Sequence, residues 1–303
     1  MNVKQKVSYT LVAMRKSWLS YLFIAPFMII FFTFTVLPVL ISMGLSFTHF
    51  NMFEPPRFIG WQNYINLFFW DEVFLLAVQN TLVLALVTGP LGFMLSMLFA
   101  WLINEFPKHL KTTLVVLFFA PTLSGAMFII WAVFFASDMH GFANSIFLRL
   151  GILTEPVQWL SDATYIMPIT IIVVLWMSLG VGFLSFVAGV TNVDKNLYEA
   201  GYVDGIRNRW QELWFITLPY IKPQLLFGAI MAITGSFAVF DVAVGLAGFP
   251  SPNYANHTVV THLVDFGTIR FEMGYASAIA VVLFATMIGA NKMVQRLLKK
   301  VGT

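Results

Sequence analysis

A single acidic residue, Asp241, interrupts an otherwise charge-free stretch over residues 223–264. A carboxylate at membrane depth is unfavourable unless it meets water or a partner, so it indicates a functional position. Phe237 lies one helical turn earlier and would share a face with Asp241. An aromatic ring beside a polar acceptor suits a sugar, because the ring stacks on the pyranose while the oxygen accepts its hydroxyls. A structural Asp at a helix break, followed by Gly245 and Gly248, explains the same residues, and both explanations can hold.

Catalysis inside the membrane would need a base there, and none of the histidines lies deep in an apolar stretch. The histidines are His49, His109, His140, His257 and His262. We expect them to be solvated loop residues, since the five-residue spacing of His257 and His262 does not suit a zinc pair on one helix face. The chain has no Cys and no G-x-x-x-x-G-K-S/T motif. We therefore expect no enzyme activity and no metal site.

Six apolar stretches must position these residues. The chain is 59% hydrophobic and 10% charged, against about 45–50% and about 25% in soluble domains. Each stretch is long enough for one helical crossing, which takes about 20 residues. We predict an all-α membrane protein with six transmembrane helices in a single domain over 1–303. The predicted spans are 19–47, 74–103, 113–136, 165–191, 223–248 and 273–295.

Lysine and arginine are divided unequally between the two sides of these spans. Only Arg57, Arg149 and Arg270 fall on one side, while the other fourteen fall on the opposite side. The positive-inside rule then predicts that both termini and segment 193–222 are cytoplasmic. The outer loops are 48–73, 137–164 and 249–272. Residues 142–150 carry helical apolar spacing, which predicts a helix along the membrane surface. The net charge of +3 is thus an orientation signal, and we expect no nucleic-acid partner.

The largest segment predicted to be cytoplasmic is 193–222. Its residue pattern predicts a helix, a turn at Gly205 and a second amphipathic helix. The second helix places Trp210, Leu213, Trp214 and Thr217 on one face, and we expect Pro219 to end it. Such a helix–turn–helix can insert into a partner's groove, or it can lie on the bilayer surface.

This segment resembles the EAA loop of ABC importer permeases, whose pattern is E-A-A, three residues, G, nine residues and I-x-L-P. The matching residues are Glu199, Ala200, Gly201, Asp204, Gly205, Ile216, Leu218 and Pro219. Gly201 replaces the second Ala of the pattern, and ten residues rather than nine separate Gly205 from Ile216. Either Phe215 takes the place of the Ile, or a one-residue bulge precedes Ile216.

Further stretches resemble the sugar-importer branch of this family, the maltose-type permeases. They are Phe58-Ile59-Gly60-Trp61-Gln62-Asn63-Tyr64, Asn80-Thr81, Pro156-Val157-Gln158-Trp159-Leu160, Ser236-Phe237 with Phe240-Asp241, and Phe271-Glu272-Met273-Gly274-Tyr275-Ala276-Ser277-Ala278. They occur in the family's order and cover most of residues 18–300.

The resemblance implies a permease subunit of a binding-protein-dependent importer for a sugar or oligosaccharide, in the cytoplasmic membrane of a bacterium or archaeon. Such a subunit pairs with a second homologous permease and forms half of the pathway among membrane lipids. Two ATPase subunits, which hold ATP and Mg, would bind the loops at 193–222, and an extracytoplasmic sugar-binding protein would deliver the substrate. The chain itself would bind no cofactor. The candidate substrate residues are Phe237, Phe240, Asp241, Tyr275 and Ser277.

The main alternative is an ion-coupled secondary transporter. Asp241 alone could serve a proton, but such transporters usually show internal repeats, and the sequence has no clear one. The EAA-like segment would also have no role in such a protein.

Overall fold

The structure is a computed structural model that describes residues 16–299. Both chain ends lie outside this range, together with four of the residues that contribute to the predicted orientation. These are Lys4, Lys6, Arg15 and Lys300.

Helices make up most of the described chain. In chain order they are α1 (Trp18–Phe31), α2 (Leu37–Leu45), α3 (Gln62–Phe69), α4 (Glu72–Asn104), α5 (Lys108–Leu123), α6 (Phe128–Phe134), α7 (Phe142–Arg149), α8 (Ala163–Met177), α9 (Val181–Thr191), α10 (Lys195–Val203), α11 (Arg209–Glu212), α12 (Leu218–Tyr220), α13 (Lys222–Phe237), α14 (Asp241–Ala247), α15 (Val259–Val264) and α16 (Met273–Lys299). Short π segments cover Phe32–Val36, Leu213–Thr217 and Asp265–Ile269, and a 3-10 turn covers Pro252–Tyr254.

Four apolar helical stretches within the described residues are each long enough to cross a membrane. They are Trp18–Leu45, Glu72–Asn104, Lys222–Ala247 and Met273–Leu298. Two bent pairs, α5 with α6 and α8 with α9, pass the same test when each pair is taken together. Residues 16–299 therefore hold four spans, or six if each bent pair is one span.

The third and fourth predicted spans are not continuous helices. The α5–α6 pair bends by 84° and the α8–α9 pair by 40°. Each break contains a serine and a glycine, Ser124–Gly125 in one and Ser178 with Gly180 in the other. Adjacent small residues of this kind are a common cause of sharp helix kinks. A third break, at residues 238–240, separates α13 from α14.

The loops predicted to face outward hold more ordered structure than the all-α prediction included. Two strands, β1 (Thr48–His49) and β2 (Arg57–Phe58), pair antiparallel in the first outer loop. The helix predicted in the second outer loop is present as α7. The third outer loop contains α15, which is capped by the Thr258 side chain.

Helix α4 lies at the centre of the packing and is in contact with α9 and α13. Glycines allow α9 and α13 to approach closely, because a methyl group on Gly182 would lie 3.4 Å from the Cα of Gly228. Phe183 and Phe186 fill the core beside this crossing. By contrast, no residue of the Trp18–Leu45 span is buried within this chain.

Candidate functional site

A cavity of about 380 Å³ lies between α4, α8, α9, α13 and the start of α14. Its wall is mostly apolar, with hydroxyl groups from Thr88, Ser96 and Ser236. Asp241 and Phe240 both line it. The cavity thus combines apolar surface, hydroxyl groups, the aromatic rings of Phe93, Phe186 and Phe240, and one carboxylate, which is the chemistry a polar, ring-containing solute needs.

The break at 238–240 determines which candidate residues reach this cavity. Helix α13 ends at Phe237, and Asp241 is the first residue of α14. The two residues therefore do not share a helix face, and that part of the sequence prediction is wrong. Phe237 is buried and is not part of the cavity wall. Asp241 begins a helix, as expected of a structural residue at a helix break, and it also lines the cavity, as expected of a substrate residue. Both explanations therefore remain consistent with the structure.

The remaining substrate candidates lie elsewhere. Tyr275 lines a second, outer cavity of about 930 Å³. Ser277 is buried and lines neither cavity. Of the five predicted substrate residues, the structure brings together only Phe240 and Asp241.

The outer cavity borders a buried network centred on Asp71. One carboxylate oxygen of Asp71, Oδ1, accepts the Phe74 backbone N–H at 2.8 Å and so caps α4. The other oxygen, Oδ2, accepts the Tyr275 hydroxyl at 2.8 Å and contacts His262 Nε2 at 2.9 Å. His262 Nδ1 in turn lies 3.2 Å from His257 Nε2.

The expectation that His257 and His262 are solvated is wrong, because each is 2% exposed. Burial opposes ionisation of Asp71, but the bonds from His262, the Phe74 amide and Tyr275 hold its pKa below the ordinary value. An ionised carboxylate only accepts, so His262 donates from Nε2 to Asp71, while the direction of the contact between His262 Nδ1 and His257 Nε2 depends on the ring tautomers. Burial, followed by the charge of the neighbouring imidazole, lowers the pKa of His257 to about 4.

In segment 193–222, α10 and α11 are held together through Glu212, which is 3% exposed. Its carboxylate accepts the Tyr202 hydroxyl at 2.6 Å and the Arg209 guanidinium at 2.8 Å. A second bond, at 2.9 Å, joins Tyr198 of α10 to Thr217 in the π segment that follows α11. Segment 193–222 is therefore an ordered helix–turn–helix, with Gly205 at φ +96° in the turn.

The register of this segment is visible in how Gly201 packs. A methyl group on Gly201 would lie 2.7 Å from the Cδ1 atom of Ile216, so the glycine makes room for that side chain. Phe215 instead is 65% exposed. The π segment Leu213–Thr217 holds one more residue per turn than an α-helix, which accommodates the longer spacing. The sequence predicted that Pro219 ends this helix, and that prediction is wrong. Helix α12 follows the π segment directly and continues past Pro219 to Tyr220.

Two contacts join this segment to α4. That helix lines the cavity that contains Asp241, which we call the central cavity. Arg209 pairs with Glu105, just beyond the end of α4, at 2.8 Å. Trp210 packs against Trp101 with ring centroids 5.1 Å apart. The other face of the segment is open: Glu199, Ala200, Asp204, Gly205 and Pro219 are exposed, and Leu218 is partly buried.

Asp71, Glu212 and the buried histidines were missed as functional candidates from the sequence. Asp71 lies 191 residues from His262 along the chain, so no local spacing relates them. Asp71 stands directly before the apolar stretch that forms α4, and this position was an available signal for a helix cap.

Comparisons with known proteins agree on one class, the membrane permeases of binding-protein-dependent importers. Residues 90–302 match the family described as binding-protein-dependent transport system inner membrane component. The chain is 32% identical to the probable ABC transporter permease protein YesP of Bacillus subtilis, over 87% of this chain and 84% of that protein. It is 29% identical to the lactose transport system permease protein LacF of Rhizobium radiobacter, over 87% and 88% respectively.

A solved structure gives the same result. The chain is similar to a subunit of a bacterial ABC transporter that imports the acidic polysaccharide alginate, with a TM-score of 0.75 and 26% identity. The similarity covers 95% of this chain and 99% of that chain. The chain is equally similar, with a TM-score of 0.75 and 26% identity, to a bacterial alginate ABC transporter solved in complex with an alginate pentasaccharide-bound periplasmic protein.

The chain belongs to the binding-protein-dependent transport system inner membrane component family. The resemblance to maltose-type ABC importer permeases found in the sequence is confirmed. It is a multi-pass protein of the cytoplasmic membrane, and, like the permease subunits it resembles, it is not itself an enzyme.

Proposed function

We propose that this chain is one of two permease subunits of an importer that takes a sugar or oligosaccharide from an extracytoplasmic binding protein. The observation that carries the proposal is the exposed helix–turn–helix at 193–222, which is fastened to the helix that lines the central cavity. Relatives named for lactose and arabinooligosaccharide transport support a saccharide as the substrate.

In this proposal the domain is 1–303 with six spans and both termini in the cytoplasm. The exposed residues of 193–222 dock on an ATPase subunit, and ATP and Mg are held by two such subunits rather than by this chain. Closure of the ATPases moves the segment. The ion pair of Arg209 with Glu105 and the ring contact of Trp210 with Trp101 carry that movement to α4. The second permease covers the Trp18–Leu45 span, which buries no residue within its own chain.

Within the cavity, Asp241 accepts hydroxyl groups of the saccharide and Phe240 packs against its ring. Tyr275 and Ser277 have no direct role in this site, because they lie away from the cavity wall.

Uptake into proteoliposomes tests the proposal. The complex is assembled with its second permease and ATPases, and the probes are lactose, an arabinooligosaccharide and an alginate oligosaccharide with the cognate binding protein. We expect uptake of at least one probe that needs both ATP and the binding protein. Uptake that follows an ion gradient and ignores ATP would instead establish the secondary transporter.

A further inference from the structure

The outer strap, which we define as residues 256–262, is a buried polar segment in the third outer loop. Asn256, Thr258 and Thr261 are buried together with both histidines. Buried polar groups need hydrogen-bond partners, so the partners of these residues show what the strap holds in place.

One side of the strap is bound to α4. Asn80 Nδ2 donates to the His257 carbonyl at 3.0 Å, and the Val259 N–H donates to the Thr81 hydroxyl at 2.9 Å. His262 adds its contact with the capping residue of α4. These bonds attach the strap to a continuous helix of 33 residues and give it a rigid base.

The other side of the strap reaches the helix break beside the central cavity. The Thr258 hydroxyl donates to the Val239 carbonyl at 2.8 Å. Asn256 Nδ2 donates to the Ala243 carbonyl at 2.9 Å, within α14. A carbonyl in a helix break has lost its usual partner, and here Thr258 supplies the replacement. Phe240, the cavity residue, lies between these two anchored carbonyls along the chain.

We infer that Thr258 and Asn256 are positioning residues for the saccharide site: they fix the break so that Phe240 and Asp241 face the cavity. The inference rests on the proposed function for the meaning of the cavity. It also assigns the third outer loop a second role, since the loop that faces the binding protein is bonded directly to the backbone that presents the substrate residues.

Matched variants separate positioning from simple stabilisation. Thr258→Val keeps the shape of the side chain and removes the hydroxyl, while Thr258→Ser keeps the hydroxyl. Thr81→Val is the control, because it removes an equally buried bond to the same strap without touching the break. A spin label on Ala238→Cys, in a chain that has no other Cys, reports the mobility of the break in the assembled complex.

We expect Thr258→Val to raise the mobile fraction of the label by at least about fivefold, because it removes the hydrogen bond to Val239 and also the cap of α15 at Thr261. The ATP hydrolysed per saccharide imported should rise with it. Thr258→Ser should restore both values, and Thr81→Val should lower the heat-unfolding midpoint while leaving both values unchanged. Equal effects of Thr258→Val and Thr81→Val, or no effect of Thr258→Val on the label, would overturn the inference. If the wild-type complex imports no saccharide, the proposed function fails, but the label still tests the positioning.

Discussion

The turn at Gly205 offers a sharp test of the proposed coupling through segment 193–222. Its φ of +96° lies in a region that side-chain-bearing residues rarely adopt. A methyl group built on Gly205 meets nothing within 4 Å, so a substitution strains the backbone without creating a clash inside this chain. Valine in such a conformation costs about 2 kcal/mol, which lowers the population of the native turn roughly 30-fold.

We therefore expect Gly205→Val to abolish saccharide uptake and the stimulation of ATP hydrolysis by the loaded binding protein. Gly205→Asn should keep activity within about fivefold of wild type, because asparagine tolerates positive φ better than other residues. The matched control is Gly151→Val, at φ +69° in an outer turn and likewise with open space around it. It should leave both activities unchanged.

Two outcomes would refute this reasoning in different ways. Wild-type transport by Gly205→Val would mean that the turn does not couple to anything. Equal losses in Gly205→Asn and Gly205→Val would mean that side-chain volume in a partner's cleft decides the effect, and not the backbone angle.

Three further predictions concern the cavity, the second outer loop and the buried histidines. Asp241→Ala should raise the half-saturation for uptake about 10- to 150-fold or uncouple hydrolysis from uptake, with the complex intact; failure to assemble would make the carboxylate purely structural. Asn144→Ala should destabilise the fold by about 2–3 kcal/mol in detergent melts, because the buried Asn144 accepts the Trp159 indole N–H at 2.7 Å and bonds several backbone groups; an unchanged midpoint would contradict this. The pKa of His257 is about 4 in the folded chain against an ordinary 6.5, so the unfolded chain takes up the proton first as the pH falls. The unfolding midpoint should therefore drop between pH 6.5 and pH 4, less so in His257→Gln but fully in a His140→Gln control; equal pH dependence in both variants would exclude His257 as the cause.

Four of the predicted spans are apolar helical stretches long enough to cross a membrane, and these were predictable because long charge-free stretches are a property of the sequence itself. The breaks inside the other two follow from small residues such as Ser124 and Gly180, whose effect depends on neighbouring helices. The break before Asp241 matters most for the candidate site. Because the helix is interrupted there, Phe240 lines the cavity with Asp241 and Phe237 does not. One-face spacing predicts neighbours only while a helix stays continuous.

The buried histidines show a second limit. His257 and His262 were predicted to be solvated because they lie in a loop of the sequence. Their burial depends on the fold, which brings them next to Asp71. The helix, the turn at Gly205 and the second helix of segment 193–222 were predictable from the sequence. The placement of Phe215 and Ile216 was not, because two alignments remained open. In the fold, Ile216 packs against Gly201 and leaves no room for a methyl group there, while Phe215 is exposed, which favours the alignment on Ile216.

Crosslinking from segment 193–222 tests most directly the central claim, that this segment docks on an ATPase subunit. Val203 is 88% exposed beside the turn, and the chain has no Cys, so Val203→Cys can carry a single photoreactive benzophenone group. We predict that illumination of the assembled complex joins this position to an ATPase subunit, and that the crosslinked complex no longer imports saccharide. Adducts with lipid alone, or with no ATPase subunit, would place the segment on the bilayer surface and contradict the account.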